Sequence, residues 1–262
     1  MKKGTTIKLL DHGFVTLRDW MGSDEDIIEA ARMSTGGGFK SWDPYEKHPK
    51  GDLGLLSFLW ENWHHTPFEM CELKIEVQAP IMVFREWHRH RTQSYNEFSA
   101  RYAQMPNRHY VPSVERIIAA TQKSGNKQAN GKGILAVPGF PEGFSQEGMA
   151  DHVRTLIDRE QQSTYKLYED LLSWGIAPEV ARIDTPVARY SCMQAKTDLR
   201  NWLAFLTLRS EDSAQWEIRQ YAYAVGYIVS RRFPRTWDLW LNHDRKKGVI
   251  RKDGFLEVKE AA

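Results

Sequence analysis

Alternation of apolar and polar positions opens the chain. Ile7 and Leu9, then Phe14, Val15, Leu17 and Trp20, fall in two short runs around Asp11-His12-Gly13, which predicts two strands joined by a turn. Ser23 precedes Asp24-Glu25-Asp26 and the periodic Ile27, Ile28 and Ala31. That order predicts an N-capped helix with an acidic first turn, ending near Ser34 ahead of Gly36-Gly37-Gly38. Leu53, Leu55, Leu56, Phe58, Leu59 and Trp63 predict a buried helix running into His64-His65-Thr66, where Pro67 forces a break. Cys71, Leu73, Ile75 and Val77 alternate with Glu72, Lys74, Glu76 and Gln78, the pattern of a half-buried strand. Pro80 then starts a helix over residues 81–88 that leads into a polar segment.

In the second half, Ser145 begins a long helix with Met149, Val153, Leu156, Ile157, Leu167, Tyr168, Leu171 and Leu172 at helical spacing and Gly175 as its stop. A short helix from Pro178 to Ile183, a strand over 187–193 and helices over 198–209 and 214–231 follow, and Trp237, Leu239, Trp240 and Leu241 close the core. Two stretches fall outside these patterns. Residues 119–147, rich in Gly, Lys, Asn and Gln, read as a mobile insertion, and the 35–50 loop as a second insertion, either a lid or a surface excursion. The mixed order of strands and helices, without internal repeats, predicts an α+β fold.

Composition narrows the function. At 262 residues with 41% apolar and 12% aromatic content, the chain has ample material for a packed core, in one large domain or two small ones. The 36 basic and 34 acidic residues leave +2, too small a field for bulk binding to nucleic acid or membrane, so any basic site is local. Met1-Lys2-Lys3-Gly4-Thr5 has no apolar run behind it, and no stretch approaches the roughly 20 apolar residues of a membrane span. A cytoplasmic protein with no membrane partner is expected. Cys71 and Cys192 are too few for a disulfide framework and are expected as packed core thiols. His64 and His65 have no third ligand nearby, so no metal is expected, and without Gly-x-Gly-x-x-Gly no Rossmann-type cofactor site is expected.

The chemistry concentrates in Arg89-His90-Arg91-Thr92-Gln93-Ser94-Tyr95-Asn96-Glu97-Phe98-Ser99-Ala100-Arg101-Tyr102. Guanidinium groups fork onto phosphate or carboxylate oxygens, while Ser, Asn and Glu can read a flat heterocycle. If the segment is helical, His90, Ser94, Glu97 and Arg101 form one polar stripe, with Tyr95, Phe98 and Tyr102 on another side. Two alternatives stand beside an anion site. One is a solvated, ion-paired helix face. The other is an RNA or DNA contact with the three aromatics as stacking platforms, which the near-neutral charge disfavours, so no nucleic-acid partner is expected.

Arg-His-Arg, seven residues, then Ser, with Asn-Glu before that Ser and Arg-Tyr after it, resembles the signature of the flavin-dependent thymidylate synthases. Further matches run in the same order: Leu10 to Val15, Ala30-Ala31-Arg32-Met33-Ser34, His65-Thr66-Pro67-Phe68-Glu69, and Leu208-Arg209 followed by Ala214-Gln215-Trp216-Glu217-Ile218-Arg219. The resemblance spans about residues 8 to 245, and implies a single domain over 1–262 with the thymidylate synthase-complementing protein fold, an antiparallel sheet flanked by helices. It further implies a homotetramer with sites shared between subunits. The implied reaction takes dUMP to dTMP with FAD as redox carrier, methylenetetrahydrofolate as carbon donor and NADPH as reductant.

Carried over by motif position, Arg209 and Ser99 are the implied catalytic residues. Substrate contacts fall on Glu86, Arg89, Glu97, Phe98, Ser99, Ala100, Arg101, Arg182 and Arg209. The flavin positions are Ser34, Thr66, Arg89, His90, Arg91, Glu97, Asp198, Arg200 and Ala204. Arg209 would lie against the uracil edge, although a cation at that place also suits a helix C-terminus by the dipole alone. Neither cysteine resembles the nucleophile motif of the other thymidylate synthase class. Three positions depart from the family: Glu86 stands where many relatives have Gln, Ser213 where His is usual, and Ala204 where a polar side chain often lies. These departures motivate an alternative product, 5-hydroxymethyl-dUMP, formed when water captures the one-carbon intermediate.

Overall fold

The computed structural model describes residues 1–120, 134–242 and 257–259; of the insertion expected over 119–147, residues 121–133 lie outside the described residues. The backbone packs as two compact units, one of Met1–Ala79, Val83–Phe98 and Ser191–Ala262, the other of Pro80–Met82 and Ser99–Tyr190.

The first unit is built on the predicted opening strands, β1 (Thr6–Leu9) and β2 (Gly13–Met21). A Cβ on Gly13 would overlap the Tyr221 hydroxyl, which explains a glycine at the strand entry. Helix α1 (Asp24–Arg32) follows Ser23, but the Ser23 hydroxyl donates to Asp26 Oδ2 at 2.7 Å and accepts no backbone N–H, so the expected serine cap is replaced by an acidic first turn. Asp24, buried, accepts from the backbone N–H groups of Arg235 and Thr236 and from the Thr236 hydroxyl at 2.6 Å. It thereby caps the later helix at Pro234. Asp52, also fully buried, ties down residues 36–50: it accepts from the Tyr45 hydroxyl and the Lys40 amide and pairs with Arg32.

Helix α2 (Gly51–Glu61) stops three residues before His64, and it is less buried than its leucines predict, with Phe58 half exposed. The stop is a paired turn in which Trp63 N–H donates to Trp60 O and His64 N–H to Leu59 O. Trp63 takes the left-handed position, φ 60°, that glycine normally fills. A 3-10 turn, Thr66–Met70, then enters β3 (Glu72–Pro80), whose Leu73, Ile75 and Val77 are fully buried. Each stabilises the fold by about 1.5–3 kcal/mol relative to exposure.

Helix α3 (Ile81–Trp87) forms as the pattern predicts, but the signature segment after it is not helical. It turns back and runs as β4 (Ser94–Glu97), antiparallel to a later strand, so the expected helical stripe of His90, Ser94, Glu97 and Arg101 does not exist. Strand pairing outcompetes helix here because β4 finds a ready edge.

The second unit holds α4 (Val114–Ala119), α5 (Gln146–Ser173) and α6 (Pro178–Ala181). Ser145, the predicted helix start, accepts from Gly148 N–H at 3.0 Å as its cap, and Gly175, φ 81°, closes α5 with Gly175 and Ile176 donating to Leu172 O and Leu171 O. The local core is Ala100, Met105, Tyr165, Tyr168 and Ala181. Arg189, 1% exposed, lies 4.5 Å over the Tyr165 ring and donates to Asn107 Oδ1 and Gln161 O.

The chain then returns to the sheet as β5 (Tyr190–Asp198), three residues later than expected, and continues through α7 (Leu199–Arg209), α8 (Trp216–Arg232) and α9 (Pro234–Asn242) to β6 (Glu257–Lys259). The six strands order as β4-β5-β3-β2-β1-β6, and β1–β2, β2–β3, β1–β6 and β4–β5 pair antiparallel. Helix α8 packs on β1 and β2, where the Tyr221 hydroxyl donates to Gln78 O. The fold is α+β with an antiparallel sheet. No helix among the described residues is long and apolar enough to cross a membrane.

Candidate functional site

In the first unit two helix ends meet at one guanidinium. Arg209 is the last residue of α7, and α3 ends at Trp87, leaving the final carbonyls of α3 without intrahelical donors. Arg209 NH2 donates to one of them, Glu86 O, at 2.9 Å, while NH1 donates to Glu86 Oε2 at 2.8 Å and Nε to His90 Nε2 at 3.0 Å. The Arg209 side chain is 15% exposed. Behind it lie aromatics: the His90 ring stands edge-on to Phe205 at 4.9 Å, Phe205 lies 4.5 Å from Trp87, and Trp202 closes against both. Burial first, then the Arg209 charge, pushes His90 down to about 4, so it is a neutral acceptor at ordinary pH. The Tyr95 hydroxyl donates to His90 O at 2.8 Å and burial raises its pKa, which leaves Tyr95 as an anchor of this turn and no stacking platform.

The other expected positions of the unit fall on surface-facing ends of elements. Arg89 and Arg91 are exposed on the turn after α3. Glu97 ends β4, accepts from Ser191 Oγ at 2.7 Å, and is followed by a half-exposed Phe98 whose N–H donates to Cys192 O. Asp198 is the N-cap of α7, accepting from Asn201 N–H at 2.9 Å, so its carboxylate also has a structural task. Arg200, the second residue of α7, pairs with Glu69 at 3.3 Å. Thr66 opens the 3-10 turn and Ser34 lies in the turn after α1, both exposed. Ala204 and Ser213 are exposed as well.

In the second unit Ser99, Ala100 and Arg101 form a tight turn. Tyr102 and Ala103 donate to Ser99 O, Arg101 N–H approaches Ser99 Oγ at 3.4 Å, and Ala100 is buried as its anchor. Arg101 Nε meets Glu179 Oε2 at 3.1 Å, and Arg182 follows as the C-cap of the same short helix α6. Three cations among the expected positions are thus brought to carboxylates: Arg209 to Glu86, Arg101 to Glu179 and Arg200 to Glu69. Glu86, an implied substrate contact, and Glu69, inside the His65-to-Glu69 match, both carry a signal in the sequence, whereas Glu179 carries none.

Both cysteines are poor nucleophiles. Burial pushes the Cys71 thiol up to about 12 and Cys192 up to about 11, the latter also raised by Glu76. Cys71 is buried as expected, whereas Cys192 is only partly so.

Comparison with known proteins identifies the family. The family model described as thymidylate synthase complementing protein matches residues 16–235. A flavin-dependent thymidylate synthase of Ehrlichia ruminantium is 37% identical over 253 residues, covering 97% of this chain and 78% of its own. One from Thermus thermophilus is 40% identical over 243 residues, covering 93% and 81%. Among solved structures, the UMP/dUMP methylase PolB from Streptomyces cacaoi, bound with 5-Br dUMP, superposes with a TM-score of 0.74 at 30% identity over 92% of this chain and 99% of that one. The chain belongs to the flavin-dependent thymidylate synthase family.

Proposed function

We propose that this protein methylates dUMP to dTMP with FAD as its bound flavin, methylenetetrahydrofolate as carbon donor and NADPH as reductant, in the cytoplasm and as a homotetramer whose subunits share each site. The identity of over a third to flavin-dependent thymidylate synthases across 97% of the chain carries this reading. The family match runs through both compact units, which supports a single catalytic domain over 1–262.

The donor set suits the cofactor: Arg89 and Arg91 are exposed cations fit for a pyrophosphate, Arg200 adds a third, and the Ser34 and Thr66 hydroxyls and the Glu97 carboxylate can take polar edges of the rings. His90 and Asp198 complete it, with Ala204 as an apolar contact. When bound, FAD supplies the redox chemistry of the reaction. For the nucleotide, Arg101, Arg182, Ser99 and the Ala100 amide of the second unit suit the phosphate, and Arg89, Glu97 and Phe98 of the first suit the pyrimidine. Arg209 sits against the uracil edge, where a fixed and largely desolvated cation stabilises negative charge as N3 ionises or as electron density moves to C5, an effect worth several kcal/mol.

The test begins with colour. The purified protein is expected to release FAD on denaturation. Anaerobic NADPH should bleach the bound flavin, and dUMP with methylenetetrahydrofolate should restore the oxidised spectrum. A protein that binds no FAD in the presence of excess cofactor would contradict the proposal.

A further inference from the structure

Glu86 was expected to touch the nucleotide, yet its carboxylate is already engaged. One residue contacts Arg209 twice, through Oε2 to NH1 and through its own carbonyl to NH2, and His90 takes Nε. Three of the five guanidinium N–H groups are used, one on each nitrogen, leaving one on each terminal nitrogen for a ligand. The two contacts of Glu86 differ in kind. The carbonyl belongs to the end of α3 and is present whatever the side chain, whereas the carboxylate fixes the rotation of the guanidinium plane and balances its charge. A neutral amide could do the first but not the second.

We infer that Glu86 is a positioning residue that acts through Arg209: it sets the guanidinium in one orientation with His90 and moderates its pull on anionic substrate, without touching the nucleotide itself. This rests on the proposed dUMP reaction. The carboxylate in place of the more usual Gln is then a tuning of the arginine. A fully unbalanced cation would bind dUMP more tightly in the ground state, which lowers KM without raising kcat.

The experiment compares the full-length flavoprotein with Glu86→Gln and Glu86→Ala, reading kcat and KM for dUMP, bound FAD, and the exchange rate of the Arg209 Nε–H by 15N NMR, its signal assigned through Arg209→Lys. Glu86→Ala is expected to lose about 100-fold in kcat, the scale of a small misplacement. Its KM for dUMP should not rise, and FAD should be retained. Glu86→Gln, which keeps an acceptor, should recover most of that kcat and show a lower KM. The slow exchange of the Nε–H should persist in Glu86→Gln and be lost in Glu86→Ala.

A Glu86→Ala enzyme with raised KM and unchanged kcat would overturn the inference and make Glu86 a direct substrate contact, as would a Glu86→Gln no better than Glu86→Ala. The NMR arm separates this from failure of the reaction itself. If wild type makes no thymidylate but the exchange pattern holds, the reaction was misassigned and the positioning stands; if the Nε–H exchanges equally fast in all three proteins, the positioning is wrong whatever the activity.

Discussion

The Nε–H of Arg209 donates to Nε2 of His90 across 3.0 Å, so an imidazole serves as acceptor for a cation. A nitrogen that accepts carries no proton, which places the His90 proton on Nδ1 and keeps the ring neutral. The folded value of about 4 lies below the ordinary 6.5. The unfolded chain therefore binds this proton more tightly between those values, and stability rises with pH through that window and is flat above it. Acid unfolding should begin to draw on His90 below about pH 6.5. Denaturant midpoints measured from pH 4 to 8 should show a shallower acid dependence in His90→Gln, and identical slopes in the two proteins would contradict this.

Arg209→Ala should lower turnover by about 10²–10³-fold, the usual loss when a fixed donor to developing charge is removed. Bound FAD should remain, because the flavin positions lie on other residues. Loss of flavin together with activity, read from the absorbance of the purified variant, would move Arg209 to the cofactor.

Asp52→Ala should be among the most damaging single changes away from the site. It leaves Arg32, whose side chain is 14% exposed, with only the neutral acceptors Gly38 O and the Tyr45 hydroxyl, and removes the acceptor of the Tyr45 hydroxyl and the Lys40 amide. Breaking a buried pair in this way costs about 3–5 kcal/mol. Thermal unfolding should register the loss, and limited proteolysis should cut within residues 36–50 faster than in wild type.

Trp63→Gly should stabilise the protein. Trp63 holds φ 60° and is 68% exposed, so the side chain gains little burial for a left-handed backbone that costs roughly 1–2 kcal/mol in a non-glycine residue. An unfolding midpoint below that of wild type would show that the Trp63–His65 ring contact at 5.5 Å outweighs the strain.

What the sequence made legible follows the range of the forces involved. Strands β1 to β3 and helix α5 with its Ser145 cap and Gly175 stop were readable because alternation, caps and stops are local. The end of α2 was misjudged because a tryptophan fills a glycine position. The strand in the signature segment is not legible locally, because β4 is set by pairing Ser94 with Lys196, far along the chain, which no local period reveals. Arg209 was singled out by motif position alone, and its clamp was invisible because Glu86 lies 123 residues earlier in the chain. The Glu86 departure is legible as a carboxylate among the implied substrate contacts; only the geometry shows which cation it serves.

The most direct test is the mass of the nucleotide formed from dUMP, methylenetetrahydrofolate and NADPH by the FAD-loaded protein. A product heavier than dUMP by one methylene unit, dTMP, is predicted, formed about 10²–10³-fold more slowly by Arg209→Ala. A hydroxymethyl product, or unchanged dUMP from a protein carrying FAD, would contradict the account.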